Sequence, residues 1–159
     1  MRVIVLFFWF ILVSSLTVST ARAETLNVCQ QEIRYTITEP TPDVSPGLRA
    51  FFGVWIGYWK SFPFQGANKV NSALCAGLIV ERINQDGTVQ AIDFAGPNVD
   101  LQVTKPYRLR RTGRISGDLL KLPRDSSIGA LYPDDYQLKG PSQLEGTHRG
   151  IQTGIFTKR

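Results

Sequence analysis

Short stretches of alternating apolar and polar residues follow one another through most of this chain, and the richest of them is Phe51 to Lys60. Read with a period of two, Gly53, Trp55, Gly57 and Trp59 share one face there. Phe52, Val54, Ile56 and Tyr58 share the other. Bulky side chains on both faces predict a strand covered on both sides. Glycines beside the tryptophans predict places where a ring lies against backbone or the strand bends.

Other segments fit around this strand. Glu32 to Thr38 alternates, with Ile33, Tyr35 and Ile37 inward. Pro40, Pro42 and Pro46 make a stiff connector, and Ser45-Pro46 caps a single helical turn through Leu48 and Ala50. Residues 61 to 72 read as a loop in which Phe62 and Phe64 either cap the core or form an exposed apolar lip. Ala73 to Ile83 is a second strand, Asn84 to Gly87 a tight hairpin with Gly87 at positive φ, and Thr88 to Ala95 the returning strand. Tyr107 to Thr112 is the next, and Arg114 to Asp118 turns into Leu119 to Leu122. Ser127 to Tyr132 reads as another short strand, stopped by a turn at Pro133-Asp134-Asp135. Tyr136 to Lys139, Ser142 to His148 and Ile151 to Thr157 complete the chain. Eight or nine short strands with frequent turn signals predict an all-β, antiparallel barrel or sandwich, and the short connections favour a meander.

The N-terminus changes the picture of where such a domain works. Arg2, an apolar run from Val3 to Val13 and Ala21-Arg22-Ala23 have the form of a signal peptide cut after Ala23. The run is too short for a membrane span. This divides the chain into a signal peptide over 1–23, an N-terminal arm and Pro-rich connector over 24–47, and a barrel domain over 48–159. The expected location is periplasmic or secreted, without a stable membrane span after processing. The net charge of +5 drops by the two charges of Arg2 and Arg22 to +3, too small to call for nucleic acid. Cys29 and Cys75 are an even pair in an exported chain and suggest one disulfide, closing a loop worth roughly 4 kcal/mol. The alternative is two thiols, with Cys75 a small core residue.

Phe52-Gly53-Val54-Trp55-Ile56-Gly57-Tyr58-Trp59, then Leu78-Ile79-Val80-Glu81-Arg82-Ile83 and its Gly87 turn, then Gly113 to Leu120 and Leu144-Glu145-Gly146-Thr147, resemble an uncharacterised exported bacterial domain of lipocalin-like (calycin) type. The resemblance covers about residues 47 to 159 and implies an up-and-down barrel of about eight strands. Gly53-x-Trp55 is similar to the first-strand signature of lipocalins, in which the Trp plugs one end under a basic side chain. That implies barrel closure by Gly53, Trp55 and a cation from Arg149, Lys158 or Arg159, with Arg159 the expected one.

Candidate chemistry is sparse. His148 is the only histidine, and with no Gly-x-Ser-x-Gly elbow it reads as a solvated strand residue rather than a catalytic one. No cysteine or carboxylate spacing suggests a metal, and no cofactor is expected. Glu81 and Asp93 either face each other across a hairpin or point to solvent. Lys105, Arg108, Arg110, Arg111 and Arg114 make the densest charge patch, with Arg108 and Arg110 on one face and Tyr107, Leu109 and Arg111 on the other. Such a patch contacts an anion or is a solvated face that discourages edge pairing. The expectation is an exported, non-catalytic barrel that binds a small apolar or anionic amphipathic ligand at its mouth. Trp59, Tyr58, Phe62 and Phe64 would form the lip, and Arg108 and Arg110 would orient an anionic head. The alternative is a solid barrel whose outer surface engages an envelope protein or surface polymer, and a filled interior favours it.

Overall fold

The alternating strands close into a cylinder. The computed structural model describes residues 20–60, 73–98, 103–149 and 152–159. Strands β1 (Ala21–Val28) and β2 (Gln31–Thr38) form a separate hairpin, followed by helix α1 (Pro46–Arg49). Strands β3 (Gly53–Lys60), β4 (Ala73–Ile83), β5 (Thr88–Ala95), β6 (Tyr107–Ser116), β7 (Leu119–Leu122), β8 (Asp134–Gly140), β9 (Gln143–His148) and β10 (Gln152–Lys158) pair in sequence order, and β10 returns to β3. Every pair is antiparallel. This is the expected eight-stranded meander, closed so that it leaves no edge. The end where β3 starts, at Gly53, is called the base, and the end at Lys60 the rim.

The period-two reading of β3 holds. Trp55, Trp59, Leu78, Val80, Ile115, Leu120, Leu122, Tyr136, Leu144 and Phe156 are buried together inside the barrel. The register places Trp59 beside Gly154 and Gly154 beside Gly146. A Cβ on Gly146 would lie 2.6 Å from Trp59 Cη2, and one on Gly154 would lie 2.8 Å from Cε3. The two glycines are therefore the bed on which the Trp59 ring lies. At the base, Ser45 caps α1 through the Leu48 N–H with Pro46 in the first turn, as expected, and delivers fully buried Phe51 to the core.

The hairpin covers one outer wall. Leu26, Ile33 and Tyr35 pack against Val54, Ile79, Ile92 and Phe94, the outward residues of β3, β4 and β5. Its two-residue turn, Cys29-Gln30, has φ of 50° and 57°, the positive values that match hairpin twist. Cys29 is joined to Cys75, so the expected disulfide is present and ties that turn to β4.

Three segments differ from the sequence reading. Strand β1 was not expected, because only Leu26 in it is buried and its pattern carries almost no alternation. Ser127 to Tyr132 is not a strand: Asp125 accepts the Ser127 N–H at 3.0 Å and starts a 3-10 turn over Ser126–Ile128. Asp134 and Asp135 do not form a turn but open β8, with Asp134 pointing inward. The N-terminal segment through Val13, Phe62, Phe64 and Ile151 lie outside the described residues.

Candidate functional site

Alternation places four ionisable residues inside the barrel near its rim. Asp93 occupies the inward series of β5 with Val89, Ala91 and Ala95. Arg111 sits in the inward series of β6, Asp134 opens β8 and His148 ends β9. Arg111 is 5 % exposed, Asp93 2 % and Asp134 3 %. Arg111 Nη1 donates to Asp93 Oδ2 at 3.1 Å and to Asp134 Oδ2. Its Nη2 donates to the carbonyls of Leu122 (2.8 Å), Pro123 (2.8 Å) and Tyr132 (3.0 Å). One guanidinium thus ties three strands and both ends of the β7–β8 connection. The planar fork of arginine suits this task, and a lysine would not replace it.

His148 is the outermost member. Its Nδ1 lies 2.5 Å from Asp134 Oδ1, and Arg149 Nε donates to its Nε2 at 3.1 Å. A guanidinium nitrogen only donates, so Nε2 is the acceptor and the ring proton sits on Nδ1, directed at Asp134. The ring also contacts Trp59 and Tyr132, with centroids 5.9 Å and 5.7 Å away. The Arg149 guanidinium lies 3.6 Å from the Tyr132 centroid. Burial, followed by the neighbouring Asp134 carboxylate, pushes Asp93 up to about 7 against the pull of Arg111. Arg111 is held above its ordinary value, because hydrogen bonding and charge from the two carboxylates outweigh its burial. Desolvation also raises the Tyr107 and Tyr136 phenols.

These positions correct several expectations. His148 is not a solvated strand residue, because alternation with Leu144 and Gly146 turns it inward onto Asp134. Glu81 and Asp93 neither face each other nor point to solvent. Asp93 lies inside the barrel, while Glu81 lies at the irregularity in β4 on the outside, accepting the Thr36 N–H at 2.9 Å and a two-point bond from Arg110. Trp55 is covered by Lys158 rather than Arg159: Lys158 Nζ is 5.1 Å from the ring centroid and bonds the Ala50 carbonyl at 3.1 Å. Arg159 contributes its backbone N–H to the Val54 carbonyl. Gly53, at φ 110°, has Lys158 Cε 3.5 Å from where a Cβ would be.

The expected lip does not converge among the described residues. Trp59 is 5 % exposed and lies inside against Tyr136 and Phe156, whereas Tyr58 is 55 % exposed on the outer wall beside Ile155. Arg108 and Arg110 also face outward, on the opposite side of the wall from Trp59. They line a groove of about 580 Å³ between the hairpin and the barrel, together with Glu24, Arg34, Tyr35, Thr36 and Ile92. A second groove of about 470 Å³ continues from it past Thr36 and Arg110 to Glu81, Arg82 and Thr112. In the first, the Tyr35 hydroxyl donates to Glu24 Oε2 at 2.7 Å, and burial together with that bond pushes the phenol up to about 12.

No protein-family model matches the chain, and no curated protein matches it. Among solved structures, a redesigned β-barrel is similar at a TM-score of 0.50 and 12% identity, over 71% of this chain and 95% of that one. At that identity the likeness shows the barrel fold alone.

Proposed function

We propose that this is an exported, non-catalytic binding module that holds an anionic partner against its outer surface, in the groove between the hairpin and β5–β6. The observation that carries the reading is a contrast across the barrel wall. Inside, Trp55, Trp59, Tyr136, Leu144 and Phe156 are packed together, so a ligand in the barrel would have to displace them. Outside, the groove presents three arginines, and the side chains of Arg34 and Arg110 are 82 % and 66 % exposed. The closed base with Gly53 and Trp55 under Lys158 supports kinship with the exported lipocalin-like domain, and the Cys29–Cys75 disulfide supports export.

A non-catalytic role is supported by how the ionisable groups are used. Asp134 is shared between Arg111 and His148, and His148 Nε2 is already taken by Arg149. Each group in the rim cluster therefore acts as a tie between strands. The test is a titration of the chain with fluorescein-labelled poly-glutamate and with neutral dextran, at low and physiological salt. Poly-glutamate should bind, weaken with salt, and lose about tenfold or more in affinity in the double variant Arg108→Glu/Arg110→Glu. Equal binding of the variant, or no preference over dextran, sinks this reading.

A further inference from the structure

The hairpin brings an open strand edge to this groove. Strand β2 pairs along its whole length with β1 and with no other described strand. In an antiparallel pair, alternate residues turn both N–H and C=O away from the partner. For β2 those are Glu32, Arg34, Thr36 and Thr38. Two contacts fix the phase: the Thr36 N–H reaches Glu81 on β4, and the Glu32 carbonyl accepts from Arg108 Nη1 at 3.5 Å. The edge therefore runs beside the barrel wall, and barrel side chains reach it at these two points.

An open edge is a template for one more strand, and proteins usually blunt it. Here side chains of the barrel occupy it. The Glu81 carboxylate stands where the carbonyl of a neighbouring strand would accept the Thr36 N–H, and Arg108 stands where its N–H would donate to Glu32. The two grooves meet at Thr36 and Arg110 and run beside this edge. Their charged lining is unbalanced. Arg34, Arg82, Arg108 and Arg110 line them with two carboxylates, Glu24, which Tyr35 bonds, and Glu81, which Thr36 and Arg110 bond; Glu32, just outside the lining, pairs with Arg34 at 2.9 Å, so four cations stand against three carboxylates.

Building on the anionic-partner reading, we propose that the groove takes an extended acidic peptide segment as a third strand on the open edge of β2. Its main chain takes over the bonds now made by Glu81 and Arg108. Its carboxylate side chains, recurring every second residue, pair with Arg108 and Arg110 on the facing wall. Backbone pairing supplies affinity and the alternating charges fix register, as in other strand-addition complexes. A polyanion without amides would satisfy the arginines but leave the edge unpaired.

The test uses a fluorescein-labelled decapeptide of alternating glutamate and valine, and two counterparts N-methylated at the odd or at the even backbone amides. All three carry the same charge. Strand addition predicts that one methylated register loses about tenfold or more in affinity while the other binds like the parent, since only alternate amides face β2. The Arg34 and Thr36 amides of the chain should gain protection from hydrogen exchange on binding. If both methylated peptides bind like the parent, or a sulfated polysaccharide binds as tightly, charge alone acts. The peptide-strand proposal then falls while the anionic-partner reading stands. If none of these probes binds, both fall.

Discussion

The two ends of the barrel are closed by opposite chemistry. At the base, Trp55 and Phe51 are fully buried, the indole N–H donates to the Phe51 carbonyl at 2.8 Å, and the cation over the Trp55 ring, Lys158, donates its ammonium to the Ala50 carbonyl. At the rim, two carboxylates, a guanidinium and an imidazole are drawn inside the wall. The base gains by burying apolar surface, which is stabilising whatever the details of geometry. The rim carries charges out of water, which is stabilising only while every partner is present. One end is therefore tolerant and the other brittle. The largest expected effect follows from that difference. Arg111→Ala leaves Asp93 and Asp134 buried without a counter-charge and releases three carbonyls, and should cost about 3–5 kcal/mol in chemical denaturation. Replacing Asp93, Arg111 and Asp134 together by Leu, Met and Leu should recover most of that loss. A cost under about 1 kcal/mol for the single change would mean that the cluster is not what holds the rim.

A gentler way to separate the two ends is pH. Burial raises Asp93 in the folded chain to about 7, above the ordinary carboxylate value of 3.8 that it has when unfolded. Below 3.8 the group is protonated in both states and exacts no penalty. As pH rises towards 7 the unfolded chain gives up its proton first, so the contribution of Asp93 to stability falls through that window and is fully lost above it. Asp93→Asn keeps an acceptor for Arg111 and removes the titration. Its melting temperature, compared with that of the native chain from pH 4 to pH 8, should therefore improve relative to native as pH rises. A variant at the base, such as Trp55→Phe, should track the native curve at a constant offset. Parallel curves for Asp93→Asn would show that Asp93 is ionised in the folded chain throughout.

The same contrast decides what could be read from the sequence. The base and the β3–β5 wall were legible because their signals are local. The glycine and tryptophan alternation of β3, the Asn84–Gly87 turn and the Ser45-Pro46 cap each fit one reading, and β4 and β5 lie at the expected bounds. The rim was not legible. Alternation groups Arg111 on one face with Tyr107 and Leu109 without saying that this face is the inner one; its partners come from 18 and 23 residues away, and nothing local says that a charge will be met. Pro133 before Asp134-Asp135 looks like a turn, and only barrel closure makes Asp134 an inward strand residue. The outer groove was half legible: the charge density of Arg108 and Arg110 was visible, but the wall they face is the hairpin, and β1 gives almost no alternating signal.

The smallest effect is expected at the base, and it tests which cation closes it. Removing Lys158 takes away a contact with the Trp55 ring and a bond to the Ala50 carbonyl, but uncovers no buried charge. Lys158→Ala should cost about 0.5–2 kcal/mol, the range for a cation over an indole. Arg159→Ala keeps the backbone N–H that bonds the Val54 carbonyl and should be within about 0.5 kcal/mol of native, as for surface changes generally. The difference between the two, measured side by side by urea denaturation, is what matters. If Arg159→Ala proves the costlier, the cation over Trp55 in solution is Arg159, and the base is held by the final residue of the chain. If Lys158→Ala proves as costly as Arg111→Ala, the base is as brittle as the rim and the contrast between the two ends is wrong.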